Sequence, residues 1–379
     1  MRSRGKKQAL VRNGTRLVTV CTRHGQFELC EQQYLTQEHQ STSFLRRTGQ
    51  ALLSRGLEEF CLRWSTLTSS RNVVALTQEI CGRKLASAQT ILTWALRKAQ
   101  QIDARLCQEV EVASAFCDPP LCDSVDLYDP NAEEVHVFCD GIVVKAQKPT
   151  HQKRGEPKEP KIEKQHETEV VLFQKPEGGF RYLMPATDGS VGVACLMRAF
   201  LRRHWHERAT PLPVVAITDG ATKIRAHLSE VFGSRVSIIL DWYHLQKKTS
   251  ELLSMVAHSR SEREALEQQL HGLLWQGRVG EGLALVKSLR PRNEKMHAKL
   301  ISYLERHASE IIDYARRQAI GKKIGSGRME KAVDQAVGIR QKDNGMSWSK
   351  AGSRTLAQLT IAQLNGEWNE LWPSMEAAA

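Results

Sequence analysis

Two apolar runs, each closing on an aspartate, constrain this chain more than any other feature. They lie in VVAITDGATKIRAHLSEVFGSRVSIILDWYHL, residues 214–245. Val214–Thr218 and Val236–Leu240 are short, continuous and rich in β-branched residues, the pattern of strands buried on both faces. The residues between them have helical spacing. Asp219 and Asp241 follow the two strands at once, and His244 comes one turn after the second. A third strand, in VHVFCDG, reads as ending the same way, with Asp140 before Gly141.

Strand ends in an open sheet converge on one crevice. Carboxylates gathered there repel one another unless a cation neutralises them, and hard oxygen ligands select Mg²⁺ or Mn²⁺. Two such ions about 4 Å apart can clamp the attacking and leaving oxygens of a phosphodiester. The competing reading makes each Asp-Gly a turn or a helix cap. A third ligand should come from a helix. IGSGRMEKAVDQAVGIR supplies one, with Met329, Val333, Ala336, Val337 and Arg340 as a narrow packed stripe and Glu330 at its edge in the first turn. Asp334, one turn on, is the rival candidate, and a solvated glutamate favoured by the helix dipole is the plainer alternative.

Around this stretch the chain reads as a mixed α/β layer fold with an all-α insertion. EEVHVFCDGIVVKAQK, EVVLFQK and FRYLMPA read as strands, the last two joined by PEGG. A helix follows over Val191–Glu207. Residues 245–318 are helical in pattern throughout, and residues 148–168, charged and proline-bearing, read as an exposed loop. Upstream, residues 15–36 alternate around His24-Gly25 as a β-hairpin and residues 43–66 read as a helix. Residues 71–100 give a helix–turn–helix pattern. Val73, Leu76 and Ile80 form one face, Gly82 the turn, and Leu85, Ala88, Ile91, Leu92, Ala95 and Leu96 the next face. Ser87, Gln89, Thr90, Thr93 and Arg97 would then point outward, where they suit base-edge and phosphate contacts, although an ordinary helical hairpin has the same pattern. The domains expected are a hairpin region (1–40), a helix–turn–helix domain (41–110), a catalytic core (132–244 with 319–372) and the insertion (245–318).

Charge favours a polyanionic partner: 54 Lys and Arg stand against 42 Asp and Glu, a formal net charge of +12. The sequence has no long apolar run and no secretory signal, so a cytoplasmic protein with no membrane partner is expected. Nine cysteines carry no C-x-x-C pair. Cys21 and Cys30 with His24 between them are a poorly spaced candidate for half a zinc site.

The ordered set FCDG, TDGA, ILDWYH, IGSGRMEKA and GMSWSKAGSRTL resembles bacterial insertion-sequence transposases of the DDE class, nearest to the ISKra-type group related to the Mutator superfamily. The likeness spans roughly residues 135–372. It implies a ribonuclease-H-like core with Asp140, Asp219 and Glu330 as the catalytic, metal-holding carboxylates, and Asp241 and His244 as a neighbouring Asp-x-x-His motif. It implies Mg²⁺ or Mn²⁺, two ions, as cofactor and DNA as partner, with a homo-oligomer acting on paired element ends within the nucleoid. DNA cleavage by water and transfer of the freed 3′-hydroxyl to a target would be the reaction. Arg340, Lys342, Trp348, Lys350 and Arg354, which follow the catalytic helix, would touch phosphates or stack on an unpaired base, the alternative being that Trp348 packs the core and the charges are solvated; Trp275 could stack on a flipped base, although a core tryptophan is the more usual reading. The chain departs from the family pattern in lacking a cysteine-rich N-terminal segment and in placing Lys331 after the glutamate. Two other readings are a ribonuclease-H-fold nuclease without strand transfer and an inactive, transposase-derived DNA-binding protein.

Overall fold

The computed structural model describes residues 11–35, 41–42, 52–147, 164–342 and 346–372. The chain divides into two units, residues 1–101 with 355–379, and residues 102–354. Both divisions fall inside helices, α3 (Ala88–Ser114) and α12 (Lys350–Leu364).

In the first unit β1 (Val11–Thr22) and β2 (Gly25–Leu35) form the expected hairpin, flanked by β3 (Ser41–Thr42) and β4 (Leu52–Leu53). Helix α1 spans Arg55–Ser65, capped by the Ser54 hydroxyl, and starts later than the pattern implied; residues 43–51 lie outside the described residues. Helix α2 (Ser70–Cys81) is capped by Ser69 and stops at Gly82, whose φ of 72° ends the helix as a left-handed glycine does. Helix α3 (Ala88–Ser114) then runs far past the expected end. Its buried stripe is Ile91, Trp94, Ala95, Lys98, Ala99 and Ile102. Leu92 and Leu96, expected inside, are 46% and 44% exposed, and Ile80 of α2 is 60% exposed. Two apolar stripes adjoin on α3, and packing selects the one carrying Trp94.

Cys21 and Cys30 cannot share an ion. Cys30 pairs with Leu17, four residues along β1 from Cys21. That separates them by about 13 Å at ~3.3 Å per residue, against Zn–S bonds of about 2.3 Å.

The second unit is built on a five-stranded sheet ordered β7-β6-β5-β8-β9. Here β5 is Val135–Lys145, β6 Gln165–Gln174 and β7 Phe180–Leu183, an antiparallel meander. Helix α4 (Val193–Trp205), strand β8 (Val214–Thr218), helix α5 (Thr222–Phe232) and strand β9 (Ser237–Leu240) follow, with β8 and β9 parallel to β5. Strand β6 begins inside the stretch expected as a loop, and residues 148–163 lie outside the described residues. Every residue of β8 is buried, which is why that strand reads as an uninterrupted apolar run. Val137, Cys139, Phe173, Val214 and Ala216 meet Met197, Phe200, Leu228 and Phe232 of α4 and α5 in the main core.

Helices α6 (Trp242–Val256), α7 (Arg260–Trp275), α8 (Val279–Lys287), α9 (Glu294–Arg306) and α10 (Tyr314–Ala319) make the insertion. It is fastened to the sheet edge: Leu240 N–H donates to the Glu310 carbonyl at 2.9 Å and the Tyr314 hydroxyl to the Leu240 carbonyl at 2.7 Å. Trp275 packs on Trp242 and Tyr314, with ring centroids 4.8 and 6.1 Å away, so in this structure it is a packing residue. The chain closes with α11 (Gly327–Val333), a π-helical turn over Asp334–Lys342, and α12 (Lys350–Leu364).

Arg317 of α10 has no exposed side-chain surface. It forms a fork with Glu134, ahead of β5, at 2.9 and 2.6 Å, and Lys322 adds a contact at 2.8 Å. Burial opposes the Glu134 charge, yet hydrogen bonds from His136, Arg317 and Lys322 and the Arg317 charge hold its carboxyl well below the usual range. Removing one member of such a pair strands a buried charge. Arg317→Met should therefore lower stability by about 3–5 kcal/mol in urea unfolding; a loss within ~0.5 kcal/mol, as for an ordinary surface change, would show that the pair does not anchor the insertion.

Candidate active site

The sheet register brings the three strand aspartates to one level. Strands β5 and β8 pair from Val135↔Val214 to Phe138↔Ile217. Continuing that register by two residues sets Asp140 beside Asp219. Strands β8 and β9 pair up to Thr218↔Leu240, so the next step sets Asp219 beside Asp241. Alternation also turns Asp140 away from the main core, which takes Val135, Val137 and Cys139 from β5.

Asp140 is not the last residue of its strand. Strand β5 continues to Lys145, paired with β6, and Asp140 sits opposite Val170. The aspartate nevertheless lies at an opening, because the β8 ladder stops at Phe138 and leaves that side of β5 uncovered.

Asp219 begins the turn into α5, its Oδ1 accepting the Ala221 N–H at 2.8 Å. Gly220 next to it has φ +84°, and a Cβ there would fall 2.9 Å from Leu240 Cδ1 and against the His307 ring. Left-handed backbone and lack of room together require glycine. His307 is itself fixed: its Nδ1 lies 2.8 Å from Glu310, which also accepts from Arg225 at 2.5 Å.

Asp241 has a different part. It is 1% exposed and caps α6, accepting the His244 N–H at 3.0 Å. Its other oxygen accepts both the Ser326 N–H and the Ser326 hydroxyl, the latter at 2.6 Å. Trp242 N–H adds a bond to the Ile324 carbonyl at 3.2 Å. One buried carboxylate thus ties the end of β9, the start of α6 and the loop that enters α11.

The tie places Glu330. Helix α11 packs on β5 and β6, and Glu330 Oε1 lies 3.4 Å from His244 Nε2. Glu330 and Asp334 both line a cleft of about 400 Å³ with Asp140 and Lys342. Asp334 folds back over Gly338, whose missing side chain leaves room for its carboxylate. The stripe from Met329 to Arg340 is buried as expected, though across a π turn, a feature frequent at functional sites. Asp219 and His244 line a second cleft of about 380 Å³.

The site carries uncompensated negative charge. Burial chiefly, and then the charges of Asp219 and Glu330, push the Asp140 carboxyl up to about 6, against the pull of the Gly141 N–H and His244. Among the described residues no three His, Cys, Asp or Glu side chains stand close enough to form a ready-made metal cluster.

The remaining candidates are dispersed. Gln89, Thr93 and Arg97 are exposed on α3 and Thr90 is partly so, but Arg97 pairs with Glu58 at 2.8 Å. Ser87 caps the helix through the Thr90 N–H at 3.0 Å. Arg340, expected on phosphates, is 5% exposed with its guanidinium 4.9 Å from the Trp348 ring. Trp348, expected to stack on a base, donates its Nε1–H to the Gln341 carbonyl at 3.1 Å. Arg354 reaches the Thr187 carbonyl at 3.2 Å, while Lys342 and Lys350 are exposed. Sequence reasoning missed Ser326 and His307. The small-residue loop IGSG was the one visible sign of the first, and nothing signalled the second.

Fold and site together define a mixed-sheet α/β protein with Asp140 at the opening between the antiparallel and parallel halves of the sheet and Asp219 in the turn that follows β8. Residues 136–372 match a family described as "Uncharacterised protein family (UPF0236)", and the chain belongs to it. A solved structure described as "Drosophila P element transposase strand transfer complex" is similar at 11% identity, over 86% of this chain and 81% of that one, with a TM-score of 0.26. No curated protein matches the chain. No helix among the described residues is long and apolar enough to cross a membrane.

Two outcomes are expected. In metal-free buffer Asp140→Asn should melt above the parent at pH 8. Native Asp140 keeps its proton to a higher pH than the unfolded chain does, so parent stability falls as pH rises from about 4 to about 6, and the gap should close below that range. A gap independent of pH would contradict the charge account. Asp241→Asn should speed hydrogen exchange over residues 324–333, and unchanged exchange there would show that the tie to Ser326 is idle.

Proposed function

We propose that this chain is a divalent-metal-dependent DNA transposase of the DDE class, with a ribonuclease-H-like core that cuts DNA and joins the freed end to a target. The reading is supported chiefly by the β5/β8 register, which, extended by two residues, would set Asp140 level with Asp219, and by Glu330, which lines the same cleft as Asp140 and lies 3.4 Å from His244. The strand order β7-β6-β5-β8-β9, three antiparallel strands followed by two parallel ones, supports the core assignment. Net charge of +12 supports a nucleic-acid partner.

The donor set fits a hard cation. Three carboxylates supply oxygen ligands only, and Asp140 resists ionising next to Asp219 and Glu330, a penalty that a cation removes. Glu330 is open to solvent at this site, with 59% of its side chain exposed. Asp140, Asp219 and Glu330 would hold one or two Mg²⁺ or Mn²⁺ ions, which when bound supply charge stabilisation and an activated water. His244 positions Glu330. Asp241 acts through Ser326 by fixing where α11 begins and touches no reacting atom. Lys342, beside Asp140 in its cleft, suits a phosphate of the bound strand. The DNA, the homo-oligomer and the exposed α3 residues Gln89, Thr93 and Arg97 belong to the same proposal.

The test is a strand-transfer assay with Mn²⁺ on DNA carrying the element's ends. The expected result is a branched or integrated product, reduced by about 10³-fold or more in Asp219→Asn if the carboxylate supplies ~4 kcal/mol of charge stabilisation. Cleavage without joining would make the chain a nuclease. Metal-independent binding with no cleavage would make it a DNA-binding protein and overturn the reading.

A further inference from the structure

We infer that the groove between α6 and α9 is a binding track for the phosphodiester backbone of a DNA strand, leading to Asp219. The inference rests on the reading above and names a surface that reading does not use. The groove is the 380 Å³ cleft that opens on Asp219, and it is built by two helix faces. On α6, His244, Lys247, Lys248 and Glu251 fall at i, i+3, i+4 and i+7, one face of the helix. On α9, Lys299, Tyr303 and Arg306 fall at i, i+4 and i+7. The faces meet across the groove: α6 packs on α9, and Lys299 and Lys247 both act on Glu251, whose carboxyl is held below its usual range first by its hydrogen bond with Lys248.

The charge here has no evident structural use. Lys248 is paired with Glu251 at 2.9 Å. Lys247 and Arg306 are exposed, and among the described residues neither has an ion-pair partner, whereas nearby Glu305 is taken by Lys287 at 2.7 Å. Two cations are therefore held toward a cleft whose far end is a carboxylate. That arrangement suits a polyanion passing between them. Tyr303, one turn before Arg306 on α9, lines the same groove. From His244 to Glu251 the groove is about 10 Å long at ~1.5 Å per residue, room for about three nucleotides at ~3.4 Å each. Its acidic end coincides with the carboxylate site, so a strand lying on the cations would deliver its next phosphodiester to Asp219. Two cations on opposite helices can each hold a successive phosphate of one strand.

The experiment is fluorescence anisotropy of the full chain with short duplex and single-stranded oligonucleotides of arbitrary sequence, in EDTA to prevent cutting, over a salt series. Lys247→Gln with Arg306→Gln should weaken binding to every sequence alike. It should lower the slope of log affinity against log salt by about 1.8 on duplex, ~0.9 for each charge lost. The charge-conserving Lys247→Arg with Arg306→Lys should keep the slope, and either single Gln variant should lose half as much, which guards against a double variant that fails to fold. Arg260→Gln with Arg263→Gln, on α7 where both arginines are paired with glutamates, serves as the control. A Lys247/Arg306 slope equal to the control's overturns the track and leaves the transposase reading standing. A parent chain that binds no oligonucleotide overturns both. Competition by inorganic phosphate at concentrations that leave the salt slope unchanged would identify a single-anion site instead of a track.

Discussion

The buried carboxylate of Asp241 is the contact on which the site depends. It lies at the sheet edge where the parallel strands end, almost without solvent, and is satisfied by one N–H from its own helix and two donors from Ser326. Some 80 residues of helical insertion separate the two partners. A long insertion costs little closure entropy, since that cost grows only with the logarithm of length, but it gives the returning chain no address. Asp241 supplies one. With Ser326 held, α11 starts at a fixed point over β5 and β6 and its first turn carries Glu330 to His244.

Glu330 rests on His244, Asp219 on the turn amide of Ala221, and Asp140 on the Gly141 N–H. Each charge has a local partner, yet Asp140 still titrates high. The site is assembled as backbone and left open as side chains, in keeping with the absence of a ready-made cluster among the described residues.

Much of this was legible in the sequence because strands buried on both faces leave an apolar run with a sharp end. VVAIT and SIIL marked β8 and β9, and the abrupt aspartates marked the level of the opening. Asp140 was placed at a strand end because its run also breaks at a carboxylate, but β5 continues through antiparallel pairing with β6, a partner that local pattern does not specify. The helix faces went wrong where two apolar stripes adjoin. Leu92 and Leu96 are as apolar as Ile91 and Ala95, and Trp94 decided between them through tertiary packing. The π turn left no mark, since a stripe at i, i+4, i+7 and i+11 fits either helix. Arg340 and Trp348 read as surface groups one by one and are stacked on each other in the fold. Ser326 and His307 act across long sequence separations, where periodicity carries no information.

The central claim is that Asp140 and Asp219 share a divalent cation, and a Mn²⁺-soaked crystal tests it most directly through the anomalous difference map. The account requires a peak between these two carboxylates, bonded to an oxygen of each at about 2.1–2.2 Å, with Glu330 turned toward it. A map with no peak there, or with manganese held elsewhere and Asp140 and Asp219 unliganded, would contradict it.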